Sequence, residues 1–260
     1  MADANNAVNA DAKKASQVAL VTGAGRNLGR AIAVALATEG LNVVVNVRDD
    51  RAEAEQVCRE LEALGVRALA VVADVADEDS VAAMFRAVEQ TLGFVAVLVN
   101  NAGPRNEARI EDLSRTEWDR VIGAGLTGAF HTCRAAVPAM RRTGWGRIIN
   151  VLGAVAHQGQ PNRVHLAASK AGLLGMTRAL AAELGPAGIT VNAVSPGPLD
   201  TAIPSTVDPS IRLKRAEQKP IPRLGQPKEV AAAVAFLSSN QAGFITGQTI
   251  GVNGGEVMLG

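Results

Sequence analysis

The sequence predicts an α/β protein with one doubly wound parallel sheet, helices on both faces and a lid segment after the sixth strand. Three observations predict it. Short apolar, β-branched runs alternate with longer helix-like stretches along most of the 260 residues, and such alternation requires crossover connections and therefore parallel strands. Glycines stand where helix patterns stop, at Gly40, Gly65 and Gly93. One stretch, Val18 to Ala31, runs from four apolar residues through Gly23, Gly25 and Gly29 into good helix formers.

The elements follow in order. Val18–Val21 reads as a buried strand, and Arg30–Glu39 as a helix ended by Gly40. Asn42–Val47 is the second strand. Arg51–Leu64 is a helix with Val57, Leu61 and Leu64 on one side. Arg67–Val72 is the third strand, and Asp77–Leu92 a helix whose acidic first turn suits the helix dipole. Val95–Asn100 is the fourth strand. Ser114 and Glu117 have capping-box spacing at the start of a long helix running towards Met140. Arg147–Leu152, the helix Ala167–Leu184 and the strand Thr190–Ser195 come next. The proline-rich segment from Pro196 to Pro227 breaks the rhythm and is too long for an ordinary αβ loop, so a lid at about 198–227 is expected. Glu229–Leu237 and Thr249–Val252 supply a last helix and strand. No composition shift divides residues 17–260, which are expected to form one domain behind a polar, frayed extension at 1–16.

Composition excludes several function classes. Twenty-six basic against 25 acidic residues, spread along the chain, give no nucleic-acid footprint. No run reaches the length of a membrane span, and the first residues lack the apolar core of a secretory signal, so a cytoplasmic protein is expected. Cys58 and Cys133 have no neighbours at metal-ligand spacing, so no metal site is expected. Aromatic residues make up 3%, and there is no tyrosine. The glycine turn is the chemical centre. Without side chains in the way, backbone N–H groups and a helix N-terminus can approach a phosphate, which points to a dinucleotide.

Five motifs occur in order at predicted βα junctions. They are Thr22-Gly23-x-x-x-Asn27-Leu28-Gly29, Asp74-Val75, Asn100-Asn101-Ala102-Gly103, Pro196-Gly197-x-x-x-Thr201 and Asn253-Gly254-Gly255. With them the chain, from Gln17 to Gly255, resembles the short-chain dehydrogenase/reductase family, and within it the 3-oxoacyl-ACP-reductase-like members. The resemblance implies a Rossmann fold. It also implies a nicotinamide cofactor held by Gly23, Gly25, Arg26, Asn27, Leu28 and Gly29 at the phosphates. Asp74 and Val75 would meet the adenine, and Asn101, Ala102 and Gly103 the end of the fourth strand. Pro196, Gly197, Leu199 and Thr201 would hold the carboxamide, and Lys170 the nicotinamide ribose. Family members that bind NAD carry an acid at the end of the second strand, where this chain has Val47 followed by Arg48. With Arg26 inside the turn, NADP(H) is expected ahead of NAD(H), although Asp49 and Asp50 stand nearby.

The chemistry departs from that pattern. The family's Tyr-x-x-x-Lys aligns with Leu166 to Lys170, its serine with Gly153, and its long-helix asparagine with Gly125. Of four catalytic positions only Lys170 is kept. His165 is the nearest replacement acid, although five residues of helix would rotate it about 140° from Lys170. His157 lies near the expected pocket rim, and His131 reads as structural. Three functions remain open. The first is an NADP(H)-dependent oxidoreductase acting on a small carbonyl, alcohol or imine through a non-standard site. The second is a lyase, isomerase or cyclase on the same scaffold. The third is a non-catalytic NADP(H)-binding subunit or sensor, partnered by an active homologue. The resemblance also implies a homotetramer built through the long helix and the Lys170 helix, where Ala167, Ala168, Gly172 and Gly175 permit close approach.

Overall fold

The structure is a computed structural model that describes residues 17–202, 213–214 and 216–258. Its strands are β1 (Val18–Val21), β2 (Asn42–Val47), β3 (Ala68–Val72), β4 (Val95–Asn100), β5 (Gly146–Val151), β6 (Ile189–Pro196) and β7 (Thr249–Val252). They form one sheet in the order β3-β2-β1-β4-β5-β6-β7, and every pairing is parallel. The crossover helices are α1 (Asn27–Thr38), α2 (Arg51–Glu62), α3 (Glu78–Thr91), α4 (Arg115–Ile122), α5 (Gly128–Thr143), α6 (Val164–Leu184) and α7 (Pro227–Ser238).

The period of two along each strand sends alternate side chains into two cores. Ala19, Val21, Val43 and Val45 pack with α1, α2 and α7 on one face. Val18, Leu20, Val44 and Leu98 pack with α3, α5 and α6 on the other. Aliphatic side chains fill both cores, as a sheet covered on both faces requires. Asp50, Asp77 and Ser114 cap α2, α3 and α4 by accepting the N–H of the third residue on, at 3.0, 2.9 and 3.1 Å. Gly40, Gly65 and Gly93 all take positive φ beyond helix ends, as their placement predicts.

Three differences from the sequence reading matter for the site. The α1 helix starts at Asn27 and not Arg30, because Arg26 is extended and caps it from inside the glycine turn. The α6 helix starts at Val164 and not Ala167, because burial of His165 and Leu166 against the long helix outweighs the weak helix propensity of that first turn. The long helix itself is interrupted between α4 and α5 by a π turn, Gly123–Thr127. A π turn leaves no periodicity signal in sequence, and such turns gather at functional sites.

The β1–β4 register, Val21 opposite Val99, places the glycine turn beside the end of β4. There the strand order reverses, which is the crevice where open α/β sheets bind ligands.

Candidate functional site

The glycine turn leaves little room for side chains of its own. Gly23 has a φ of 62°. A Cβ on Gly29 would lie 2.1 Å from the Gly23 carbonyl oxygen, and one on Gly25 would lie 2.4 Å from Glu53 Oε2. The first turn of α1 carries no acidic residue, so its N-terminal N–H groups and dipole remain suited to a phosphate. The residues present therefore fit a dinucleotide diphosphate.

Three side chains clamp this turn. Asn101 Nδ2 donates to the carbonyls of Thr22 and Gly23 at 2.9 and 3.0 Å. Thr22 Oγ1 accepts the N–H groups of Asn101 and Ala102, both at 3.0 Å. Asn27, at φ 50°, accepts the Ala202 N–H on Oδ1 at 3.1 Å. That bond ties the turn to the segment after β6, a link between positions 175 residues apart. Asn101 thus serves the turn itself, while Asn27 joins the turn to the start of the lid.

The ends of β4 and β5 are cross-braced by a buried polar chain. Thr132 Oγ1 donates to Asn100 Oδ1 at 2.7 Å, Asn100 Nδ2 donates to Asn150 Oδ1 at 2.9 Å, and Asn150 Nδ2 donates to Thr177 Oγ1 at 2.9 Å. This chain runs from α5 through two strands to α6 and sets the height of α6 above the sheet. Beyond the end of β3, Asp74 Oδ1 accepts the Ala76 N–H at 2.9 Å. Val75 is buried with its carbonyl 3.2 Å from His131 Nδ1, which gives His131 the structural role expected of it.

Lys170 is buried and donates to the Val151 carbonyl at 2.7 Å. Burial, reinforced by the positive charge of Arg105, pushes its amine down to about 7. A methyl on Gly103 would stand 3.7 Å from Lys170 Nζ and 3.9 Å from the Gly125 Cα, so these three residues share one floor. Leu166, one turn before Lys170, packs against Val121 and Val155. Gly153 has a φ of 144°, and the space in front of it is open to the Pro196 carbonyl at 3.9 Å.

His165 is fully buried and lies on a different side of α6 from Lys170. Neither ring nitrogen has a hydrogen-bond partner among the described residues. Ser169, four residues on, is also fully buried with an unpartnered hydroxyl, and a Cβ on Gly125 would fall 2.4 Å from it. His165 and Ser169 therefore face the π-turn region of the long helix. His157 Nε2 is buried without a partner as well, and burial pushes that imidazole down, with help from Arg178.

Beyond β6, Leu199 is buried and bridges to Gly225. The Gly225 N–H donates to the Pro198 carbonyl at 2.9 Å, and the Asp200 N–H donates to the Gly225 carbonyl at 2.8 Å. Gly197 is pressed against Asn253, where a Cβ would come within 2.8 Å of the carbonyl oxygen. The two ends of the expected lid are thus pinned as a stem that holds Pro196 to Thr201 beside the crevice. Residues 203–212 and 215 of that lid lie outside the described residues.

Beyond the end of β2, Arg48 pairs with Asp49 at 2.7 Å, and Arg26 Nε stands 3.9 Å from Glu53 Oε1. Sequence reasoning missed Glu53. It reads there as one more acid in the first turn of a helix, and its reach over Gly25 depends on how α2 packs. Ser169 was missed as well, since it stands in no motif that distinguishes it, whereas Arg105, just after the Asn100–Gly103 motif, is legible as a polar residue that could line the pocket.

The fold and crevice define an α/β protein of the Rossmann type. The family model described as enoyl-(acyl carrier protein) reductase matches residues 23–256. The chain belongs to the short-chain dehydrogenase/reductase family. It is 43% identical over 245 residues to the 3-oxoacyl-[acyl-carrier-protein] reductase FabG of Staphylococcus aureus, covering 94% of this chain and 100% of that one. It is 39% identical to nodulation protein G of Azospirillum brasilense, over 92% and 97% of the two chains. A solved 3-oxoacyl-[acyl-carrier protein] reductase from Brucella melitensis superposes with a TM-score of 0.86 at 36% identity, covering 94% and 92%. An acetoin dehydrogenase from Salmonella typhimurium superposes at 0.84 with 33% identity, covering 92% and 95%.

Proposed function

We propose that the chain is an NADP(H)-dependent oxidoreductase acting on a small carbonyl, alcohol or imine, with Lys170 as the central group of an acid-deficient site. The observation that carries this reading is the Lys170 amine, buried on a glycine floor at the ends of β4 and β5. Relatives named as reductases and a dehydrogenase support the reaction class.

The glycine turn and the α1 N-terminus would hold the diphosphate. Arg26 and Arg48 would answer a ribose phosphate, and Asp74 and Val75 would border the adenine. Pro196, Gly197, Leu199 and Thr201 would line the carboxamide end. The bound dinucleotide supplies or accepts a hydride. Lys170 Nζ, pushed down to about 7, carries a proton in roughly half of the molecules at neutral pH, which suits proton exchange near the operating pH. Leu166 with Val121 and Val155 keeps water from that side of the floor. Gly153 leaves volume for a substrate bulkier than one held by a larger side chain, while the Ser169 hydroxyl fills the space beside Gly125. A substrate that arrives protonated, such as an iminium, needs least help from this site.

The test is single-turnover oxidation of bound NADPH against a panel of ketones and cyclic imines, comparing the wild type with Lys170→Met. Consumption in the wild type that is lost in the variant supports the reading. NADPH binding with no consumption of any panel member sinks the redox assignment and favours a scaffold that binds cofactor without using it.

The same reading includes a homotetramer. Gly172 packs inward, with a Cβ there falling 2.8 Å from Leu126, while Ala168, Ala171 and Gly175 are exposed along α6. Light scattering checks the assembly, and a monomer at working concentration removes it. Among the described residues no helix is long and apolar enough to cross a membrane.

A further inference from the structure

The Glu53 carboxylate occupies a place that its sequence position does not announce. Its backbone N–H is fixed by the Asp50 cap at 3.0 Å, so the cap does not use its side chain. The side chain instead reaches back over the glycine turn. A Cβ on Gly25 would meet Glu53 Oε2 at 2.4 Å and Val47 Cγ1 at 2.9 Å. Glu53 therefore stands over the turn at Gly25, the glycine that also faces the last residue of β2. An acid there can accept a hydrogen bond from a ribose 2′-hydroxyl, and it repels a 2′-phosphate.

We propose that Glu53 supplies from α2 the acid that the end of β2 lacks, and so lowers this chain's preference for NADP(H) over NAD(H). The proposal rests on the cofactor reading above. Charge bookkeeping at the site supports it. Arg26, the turn's cation, lies 3.9 Å from Glu53, and Arg48 lies 2.7 Å from Asp49. Each arginine that favours a phosphate is thus answered by a carboxylate. The two pairs differ in weight. Arg48 and Asp49 are sequence neighbours on an open surface, where such pairs contribute little. The Glu53 side chain is 31% exposed and lies over Gly25, so its charge is less screened than that of the open Arg48–Asp49 pair. A 2′-phosphate must draw Arg26 away from Glu53 and then remain close to that carboxylate. A 2′-hydroxyl needs neither change.

The test is calorimetric titration of the full chain with 2′,5′-ADP and with 5′-AMP, which differ in the group Glu53 would read. Both report binding without any turnover. Glu53→Gln keeps the shape over Gly25 and removes the charge. It should raise the affinity for 2′,5′-ADP about tenfold or more, as relief of a like-charge contact does, with no gain for 5′-AMP. Glu53→Ala should shift the ratio in the same direction. In an Arg26→Met background the gain for 2′,5′-ADP from Glu53→Gln should shrink, because the freed arginine is part of the effect. Circular dichroism confirms that each variant is folded. Variants that bind both nucleotides with the wild-type ratio overturn the role of Glu53 and leave the cofactor reading standing. A wild-type chain that binds neither nucleotide overturns the cofactor reading and, with it, this one.

Discussion

Restoring the missing acid tests the site most directly. Leu166→Tyr places a phenol one helical turn before Lys170, whose amine is already seated at 2.7 Å on the Val151 carbonyl. A positioned general acid contributes roughly 10²- to 10⁴-fold. The gain is opposed by packing. Leu166 sits against Val121 and Val155, and the larger ring costs about 1–3 kcal/mol there unless it turns into the open space before Gly153. Adding Gly153→Ser carries a separate cost. The space is open, with the Pro196 carbonyl 3.9 Å from the new Cβ, but φ is 144°, where a side chain strains the backbone by about 1–3 kcal/mol. Together the two changes remove about 2–6 kcal/mol from a domain whose stability is of order 5–15 kcal/mol. The assay is NADPH consumption with a small ketone, run with cofactor titration and thermal melts. Leu166→Tyr alone should raise turnover about 100-fold at a modest loss of melting temperature. Gly153→Ser alone should lose stability and gain no activity, and the pair should be fastest and least stable. A folded Leu166→Tyr protein that binds NADPH and turns over no faster than the wild type refutes the placement of substrate beside Lys170.

Other perturbations have defined outcomes. Lys170 holds its amine at about 7 in the fold, against 10.5 for an ordinary lysine, so the unfolded chain binds the extra proton between those values. Wild-type stability should therefore rise with pH from about 7 to about 10.5, by up to roughly 1.4 kcal/mol per unit, and Lys170→Met should flatten that slope while raising stability at neutral pH; urea midpoints at pH 6.5, 8 and 9.5 check both. Asn150→Ala leaves Asn100 and Thr177 without their buried partner and should cost about 1–3 kcal/mol, read as a lower melting temperature. Burial pushes the Cys58 thiol up to about 11 and the Cys133 thiol up to about 12, so neither should react with a disulfide reagent at pH 8 until denaturant unfolds the chain.

The fold was legible because its strands are buried on both faces. Runs such as Val43–Val45 and Val95–Val99 have no other stable home, and the glycines that end the helices mark the connections. The glycine turn was legible for a related reason, since Gly29 tolerates no Cβ against the Gly23 carbonyl and Gly23 takes a positive φ, and that demand shows in the sequence. What packing decides was not legible. Glu53 reaches Gly25 only because α2 descends beside β2, and Asn27 meets Ala202 across 175 positions. The direction of His165 depended on where α6 begins, and tertiary burial moved that start to Val164. The π turn at Gly123–Thr127 gave no sign, because its residues keep helical dihedrals on both sides and only the hydrogen-bond ladder changes.

Motif residues carry unequal weight as evidence of chemistry. Thr22, Asn101 and Ala102 clamp the glycine turn to β4 by hydrogen bonds, and Asn100 and Asn150 brace the strands beneath it. A scaffold without any cofactor would still need them. Lys170 is different. Its charge is buried, its bond to the Val151 carbonyl replaces only part of its hydration, and the neighbouring Arg105 charge raises the penalty. A methionine of similar length would fill that volume at lower cost, so Lys170 weakens the fold that holds it. A group that is expensive to bury and contributes little to packing marks a functional site in physical terms. The chain has no tyrosine to serve as an acid, and the cost borne at Lys170 is the reason to assign chemistry to that site.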